Sequence, residues 1–147
     1  MKSISLHQPW ASAIALGLKR WETRGRPTHI RGRIAIHAAK KDTVDLERVW
    51  DDFMWSASIC TPFAKAGYSK FLDLPFGAII ATADLVDCIP TEVALLKGFI
   101  SSVEQALGNY LPGRFAWKLE NVRPLAKPIP FKGRQGWFEV PDSLLAA

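Results

Sequence analysis

The segment Lys19-Arg20-Trp21-Glu22-Thr23-Arg24 puts an ammonium, a carboxylate, a hydroxyl and a guanidinium within six positions. A Lys and a Glu brought within ~4–6 Å favour each other's charged forms. A carboxylate kept ionised in a basic cleft can accept a proton from water as a general base. A neighbouring Lys or Arg can stabilise the oxyanion that forms when that water attacks an amide carbonyl. The chemistry in view is therefore hydrolysis without a metal, with Glu22 or Glu104 as base and Lys19 or Arg24 as electrostatic stabiliser. The same residues also suit a structural ion pair. Glu104 has a second reading too, because Ser101-Ser102-Val103-Glu104 has the form of a capping box. On a regular strand Lys19, Trp21 and Thr23 face one way and Arg20, Glu22 and Arg24 the other. Lys19 and Glu22 meet only if the chain bends or bulges, so an irregularity is predicted where this strand begins.

Further candidates are ligand-binding. Trp10 can stack a base, worth ~1–3 kcal/mol in single-strand binders, or pack on the helix face it shares with Ala13 and Ile14. Gln8 can read a base edge or satisfy local backbone groups. His37, on the polar face of a strand, can point into a cleft or stand as a satisfied bystander. Tyr110 precedes Leu111-Pro112-Gly113 in a loop, where it can reach a ligand. Arg114 and the Lys132-Gly133-Arg134-Gln135-Gly136 turn suit phosphate contacts, with solvated loop charge as the competing reading. Between positions 19 and 41 the chain has eight Lys and Arg residues and one acid, Glu22, within a net charge of +5. Such a field attracts anions such as phosphate.

Several classes have no support. His7, His29 and His37 lack helical i,i+4 pairing, and Cys60 and Cys88 lack metal-ligand spacing, so no metal site or cofactor is expected. There is no Gly-rich phosphate loop, dinucleotide fingerprint or nucleophile elbow. No stretch approaches ~18 uncharged apolar residues, and the first residues carry no leader pattern. A soluble cytoplasmic protein with no membrane and no obligate protein partner is expected.

The elements that must position these residues are short. Strands are predicted over 2–6, 19–24, 33–39, 76–89, 114–122 and 137–140 from alternation and β-branched content, with a bulge in the long fourth strand. Helices are predicted after Pro9, ending at Gly17; after a cap at Asp42, with Leu46, Val49, Trp50 and Phe53 as apolar face; and over 91–97 and 102–107. Residues 56–75, with Pro62, Gly67 and Pro75, read as irregular. The expectation is an α+β chain, one domain over 1–147. Five to six strands form a mixed, mainly antiparallel β-barrel with short helices over its ends.

Taken in order, Leu6-His7-Gln8-Pro9-Trp10-Ala11, the G-x-K-x-x-E-x-R pattern of Gly17 to Arg24, Arg31 to Lys40, Phe76-Gly77-Ala78-Ile79, Leu85-Val86-Asp87-Cys88, Pro112 to Trp117 and Arg134-Gln135-Gly136-Trp137 strongly resemble the ASCH domain, a branch of the PUA-like superfamily. The resemblance runs from Met1 to about Val140. It implies a PUA-like barrel with a cleft between barrel and helices, binding RNA or nucleotides. Some small bacterial members are amidohydrolases that remove an acyl group from the exocyclic N4 of cytidine with a Lys, a Thr three residues on and a distant Glu. Lys19 matches the Lys, Arg24 the following Arg, and Glu104 the distant Glu. Glu22 occupies the Thr position and Thr23 stands one step away, which puts a threonine nucleophile in doubt and leaves a hydrolase that uses water. Two further readings use the same cleft: a non-catalytic RNA-binding module, and a ribonuclease with Lys and carboxylate in acid/base roles. The partner is a modified pyrimidine nucleoside or nucleobase, or RNA.

Overall fold

The computed structural model describes residues 1–41 and 45–146. Asp42, the expected helix cap, lies outside them. Six strands form one sheet in the order β2-β5-β4-β3-β1-β6: β1 (Lys2–Leu6), β2 (Trp21–Arg24), β3 (Gly32–Ala38), β4 (Ala78–Pro90), β5 (Phe115–Pro130) and β6 (Phe138–Glu139). Only β1 and β3 run parallel. The described residues include five short α-helices: α1 (Trp10–Ala15), α2 (Glu47–Met54), α3 (Ala57–Lys65), α4 (Thr91–Leu96) and α5 (Ser102–Ala106). None is long and apolar enough to cross a membrane. The mixed, mainly antiparallel architecture is the expected one.

The sheet is curled but its hydrogen bonding does not close. Only Lys2 and Ser3 pair with β6, and the other terminal strand, β2, has four residues, so neither end offers a long ladder. Side chains bridge the gap instead. Arg24 Nη2 on β2 donates to the Ser5 carbonyl on β1 at 3.0 Å. Trp117 on β5 stacks on Trp137, next to β6, with centroids 5.5 Å apart and planes at 4°. Inside the curl, Ile4, Ile34, Ile36, Leu85 and Leu119 pack against Ile14 of α1.

Two elements depart from the sequence expectation. β5 continues past Val122 through Pro124 and Pro130, paired with Ala81 and Ala78 of β4. β2 covers only Phe115–Lys118 of β5, so farther along one edge has no strand neighbour and a missing proline N–H costs no ladder bond there. The expected bulging of β4 is present, as register shifts against β5 at three places. The second departure is α3, a helix with Pro62 inside it where an irregular segment was expected. Ile59 and Phe63 are buried, and Phe63 packs edge-on against Trp50 of α2, centroids 5.1 Å apart. That burial outweighs the hydrogen bond Pro62 cannot donate.

His37 ties β3 to the segment between β5 and β6. Its Nε2–H donates to the Phe131 carbonyl at 2.8 Å and its Nδ1 accepts from Ser5 Oγ at 2.8 Å, an assignment set by the carbonyl's being an acceptor only. The ring also meets Phe138 edge-on. Burial pushes its pKa below the ordinary 6.5, with the Phe131 carbonyl opposing. The unfolded chain therefore takes up this proton first as pH falls. His37 contributes fully above about pH 6.5 and progressively less below it, whereas the carboxylates held low, such as Asp84 and Glu139, weaken only in more acid solution. Urea midpoints at pH 7 and pH 5 check this: the midpoint falls between them, and His37→Gln flattens the difference.

Candidate functional site

α1 ends in a full Schellman turn. Gly17, at φ +77°, donates to Ile14 O, and Leu18 donates to Ala13 O. The next N–H, of Lys19, also goes to Ala13 O. Glu104 of α5 then takes over. Its carboxylate accepts the Arg20 N–H at 2.9 and 3.1 Å and the Trp21 N–H at 3.0 Å. These bonds take the place of sheet pairing, so regular β2 begins at Trp21 rather than at Lys19. Here is the irregularity that the alternation argument required. It lets Lys19 turn inward, only 1% exposed, with Nζ donating to the Trp21 carbonyl and lying 3.5 Å from Glu22 Oε2. Arg24 Nε donates to Glu22 Oε1 at 3.0 Å. Glu22 thus sits between two cations, which is how a buried carboxylate is tolerated.

The cluster opens into a cleft of about 490 Å³. Lys19, Glu22, Thr23 and Arg24 form one wall; Ser5, His7 and Trp10 form another. Trp10 meets Phe53 of α2 edge-on at 6.3 Å, and both line the opening. The segment after α5 supplies Gly108 and Asn109, with Arg114 beside them. Asn109 N–H donates to Thr23 Oγ1 at 3.0 Å, while Arg114 reaches the Asn109 and Thr23 carbonyls at 3.1 and 3.2 Å. A Cβ at Gly108 would stand 2.6 Å from Tyr110 Cε2, so only glycine fits between the cleft and that ring. Among the described residues no group of three His, Cys, Asp or Glu side chains is placed to hold a metal.

The profile of the ASCH domain matches residues 4–129. This chain belongs to the ASCH domain family. Activating signal cointegrator 1 is 32% identical over 88 residues in Homo sapiens and 31% in Mus musculus. Those 88 residues are 58% of this ASCH chain but span only 14% of either relative. Among solved structures, the ASCH protein of Zymomonas mobilis superposes with a TM-score of 0.55 at 20% identity, covering 97% of this chain and 88% of that one. A serine-to-alanine variant of the Zymomonas protein gives 0.57 at 19% identity, covering 99% and 94%. At these identities the likeness is one of fold.

Of the candidates read from the sequence of this ASCH domain, Lys19, Glu22, Thr23, Arg24, Trp10 and Arg114 come together in the cleft. Six others lie elsewhere. Glu104 stands behind the wall, 4% exposed, with its carboxylate spent on backbone. It makes half of the expected capping box: Ser101 Oγ accepts its N–H, but its own side chain bonds Arg20 and Trp21 instead of the helix start. Gln8 is buried, its amide bonded to Ser12 and the Pro75 carbonyl, so no edge is left to read a base. His37 is held between Ser5 and Phe131. Tyr110 is buried behind Gly108, and its hydroxyl lacks a hydrogen-bond partner among the described residues. Burial, then the Glu104 and Glu22 charges, push that phenol well above its ordinary value. Arg134 and Gln135 belong to the β5–β6 segment, away from the cleft. The basic run 19–41 is also dispersed. Arg33 pairs with Asp84 and Arg31 donates to local carbonyls, leaving Lys19 and Arg24 as its cations in the cleft. Ser5, Phe53 and Asn109 were not singled out, since nothing in their local sequence distinguishes them.

Glu104→Gln removes the charge that gathers three backbone contacts and turns an amide NH₂ toward two N–H groups. It should cost about 2–3 kcal/mol in urea unfolding, far more than Gln105→Glu on the exposed face of the same helix.

Proposed function

We propose that the cleft binds a pyrimidine nucleoside and hydrolyses an acyl group from its exocyclic N4, as in the small bacterial amidohydrolases this sequence resembles. The observation that carries the reading is the convergence of Lys19, Glu22 and Arg24 on a hollow of about 490 Å³, within the ~300–1,000 Å³ usual for small-molecule sites. The aromatic wall at Trp10 and Phe53 suits a flat heterocycle.

In this reading Glu22 takes a proton from water as the water oxygen attacks the amide carbonyl carbon. The tetrahedral oxyanion is stabilised by the Lys19 ammonium and the Arg24 guanidinium. The C–N bond then breaks, the proton held by Glu22 passes to the departing N4, and a carboxylic acid and the free aminopyrimidine leave. Thr23 serves binding: its hydroxyl accepts the Asn109 N–H and keeps its own proton for a ligand acceptor. Arg114 braces the Asn109 and Thr23 backbone. Glu104 acts by positioning, holding the bend that presents Lys19.

The test is release of cytidine from N4-acetylcytidine by the purified chain. Glu22→Gln should lower kcat by about 10²–10⁴-fold and Lys19→Ala by about 10²–10³-fold, with folding checked by circular dichroism. Turnover by Lys19→Ala at the wild-type rate removes Lys19 from the mechanism. A wild-type chain inert on every N4-acylated pyrimidine defeats the reading.

A further inference from the structure

A second groove, of about 430 Å³, lies along the segment that joins β5 to β6. Phe131, Trp137 and Phe138 line it together with Lys132, Arg134 and Glu139. Phe131 and Phe138 are stacked within 15° of parallel, centroids 6.1 Å apart. The single acid is already neutralised: Glu139 is 2.7 Å from Lys2 Nζ and 3.3 Å from the N-terminal amine. Lys132 and Arg134 are exposed, and among the described residues neither makes an ion pair. The groove thus combines flat apolar surface with two uncompensated cations, the pairing that holds a base and its phosphate in single-strand binders.

It is also coupled to the first cleft. Arg24, in the cleft wall, lies 5.7 Å over the Trp117 ring, and the other partner of Trp117 is Trp137 in the groove. Ser5, also in the cleft wall, bonds His37, which bonds the Phe131 carbonyl. A Cβ at Gly133 would stand 2.6 Å from His37 Nδ1, so the segment lies flat on that ring. The groove therefore sits on the same scaffold as the cleft.

We propose that this groove holds a nucleotide flanking the one in the cleft, so that the ligand of this protein is a single-stranded polynucleotide and not a free nucleoside. The inference rests on the nucleoside reading of the cleft. The aromatic faces stack the neighbouring base, while Lys132 and Arg134 take the phosphates on either side of it.

The experiment measures binding of fluorescein-labelled oligocytidylate octamers, RNA and DNA, against cytidine monophosphate as the single-nucleotide reference. Wild type should bind an octamer at least about tenfold more tightly than the mononucleotide, the scale of one stacked base. The Lys132→Glu/Arg134→Glu variant should lose most of that chain-length gain. Its log–log salt slope should be shallower by about 1.4, at ~0.7 per single-strand phosphate contact. The RNA and DNA arms identify which strand the groove accepts. Equal affinity for octamer and mononucleotide in wild type overturns the inference, as does a chain-length gain unchanged in the double variant. If either result comes from a chain that still deacylates N4-acetylcytidine in a Lys19-dependent way, the groove assignment alone has failed. Failure of the nucleoside reading shows separately, as the absence of that turnover.

Discussion

A fully buried ammonium is the constraint on which the arrangement around this cleft depends. Lys19 has almost no contact with solvent, and an uncompensated charge in that position would cost several kcal/mol. Compensation comes from the Trp21 carbonyl and the Glu22 carboxylate. Glu22 is in turn completed by Arg24, whose guanidinium also bonds β1. The chain of charges therefore begins inside the cleft and ends by tying β2 to the far side of the curled sheet. A polar cluster of this kind is stable only when each member has its partners, so the cleft and the curl of the sheet depend on the same contacts.

The second buried carboxylate, Glu104, makes that arrangement possible. A regular strand from Lys19 onward would set Lys19 and Glu22 on opposite faces. Glu104 accepts the backbone N–H groups that a ladder partner would otherwise satisfy, so the chain can bend without orphaning them. Because it belongs to α5, the same anchor holds the following residues, Gly108 and Asn109, against the cleft. A carboxylate that touches no part of the hollow can in this way determine its shape. Its place behind the wall accounts for the chemistry of the cleft being carried by Glu22 and the cations beside it.

Much of the fold was legible because it rests on local rules. Alternation placed β1 and β3, β-branched content placed β4 with its bulges, and Gly17 marked the end of α1. The misreadings came from proline. Pro62 in α3 and the prolines of late β5 are tolerated for reasons outside their own segments: the burial of Phe63 on Trp50 in one case, the uncovered edge of β5 in the other. Within the site, residue chemistry and spacing picked out Lys19, Glu22, Thr23 and Arg24. Local sequence could not tell that Gln8 and His37 would be saturated by neighbours such as Pro75 and Phe131, more than sixty positions away.

The amino-acid sequence alone determined the inventory of charges, the helix and strand signals, the family to which the chain belongs, and the need for a bend if an ammonium and a carboxylate three residues apart were to meet. Tertiary structure alone decided which charges stayed together. It spent Glu104 on backbone, drew Arg31 and Arg33 off to other partners, and left Lys132 and Arg134 without an ion pair beside aromatic rings. The reason is that burial and hydrogen-bond saturation depend on what lies opposite a side chain in space. For these residues the opposing groups come from distant parts of the chain, where spacing along the sequence carries no information about distance.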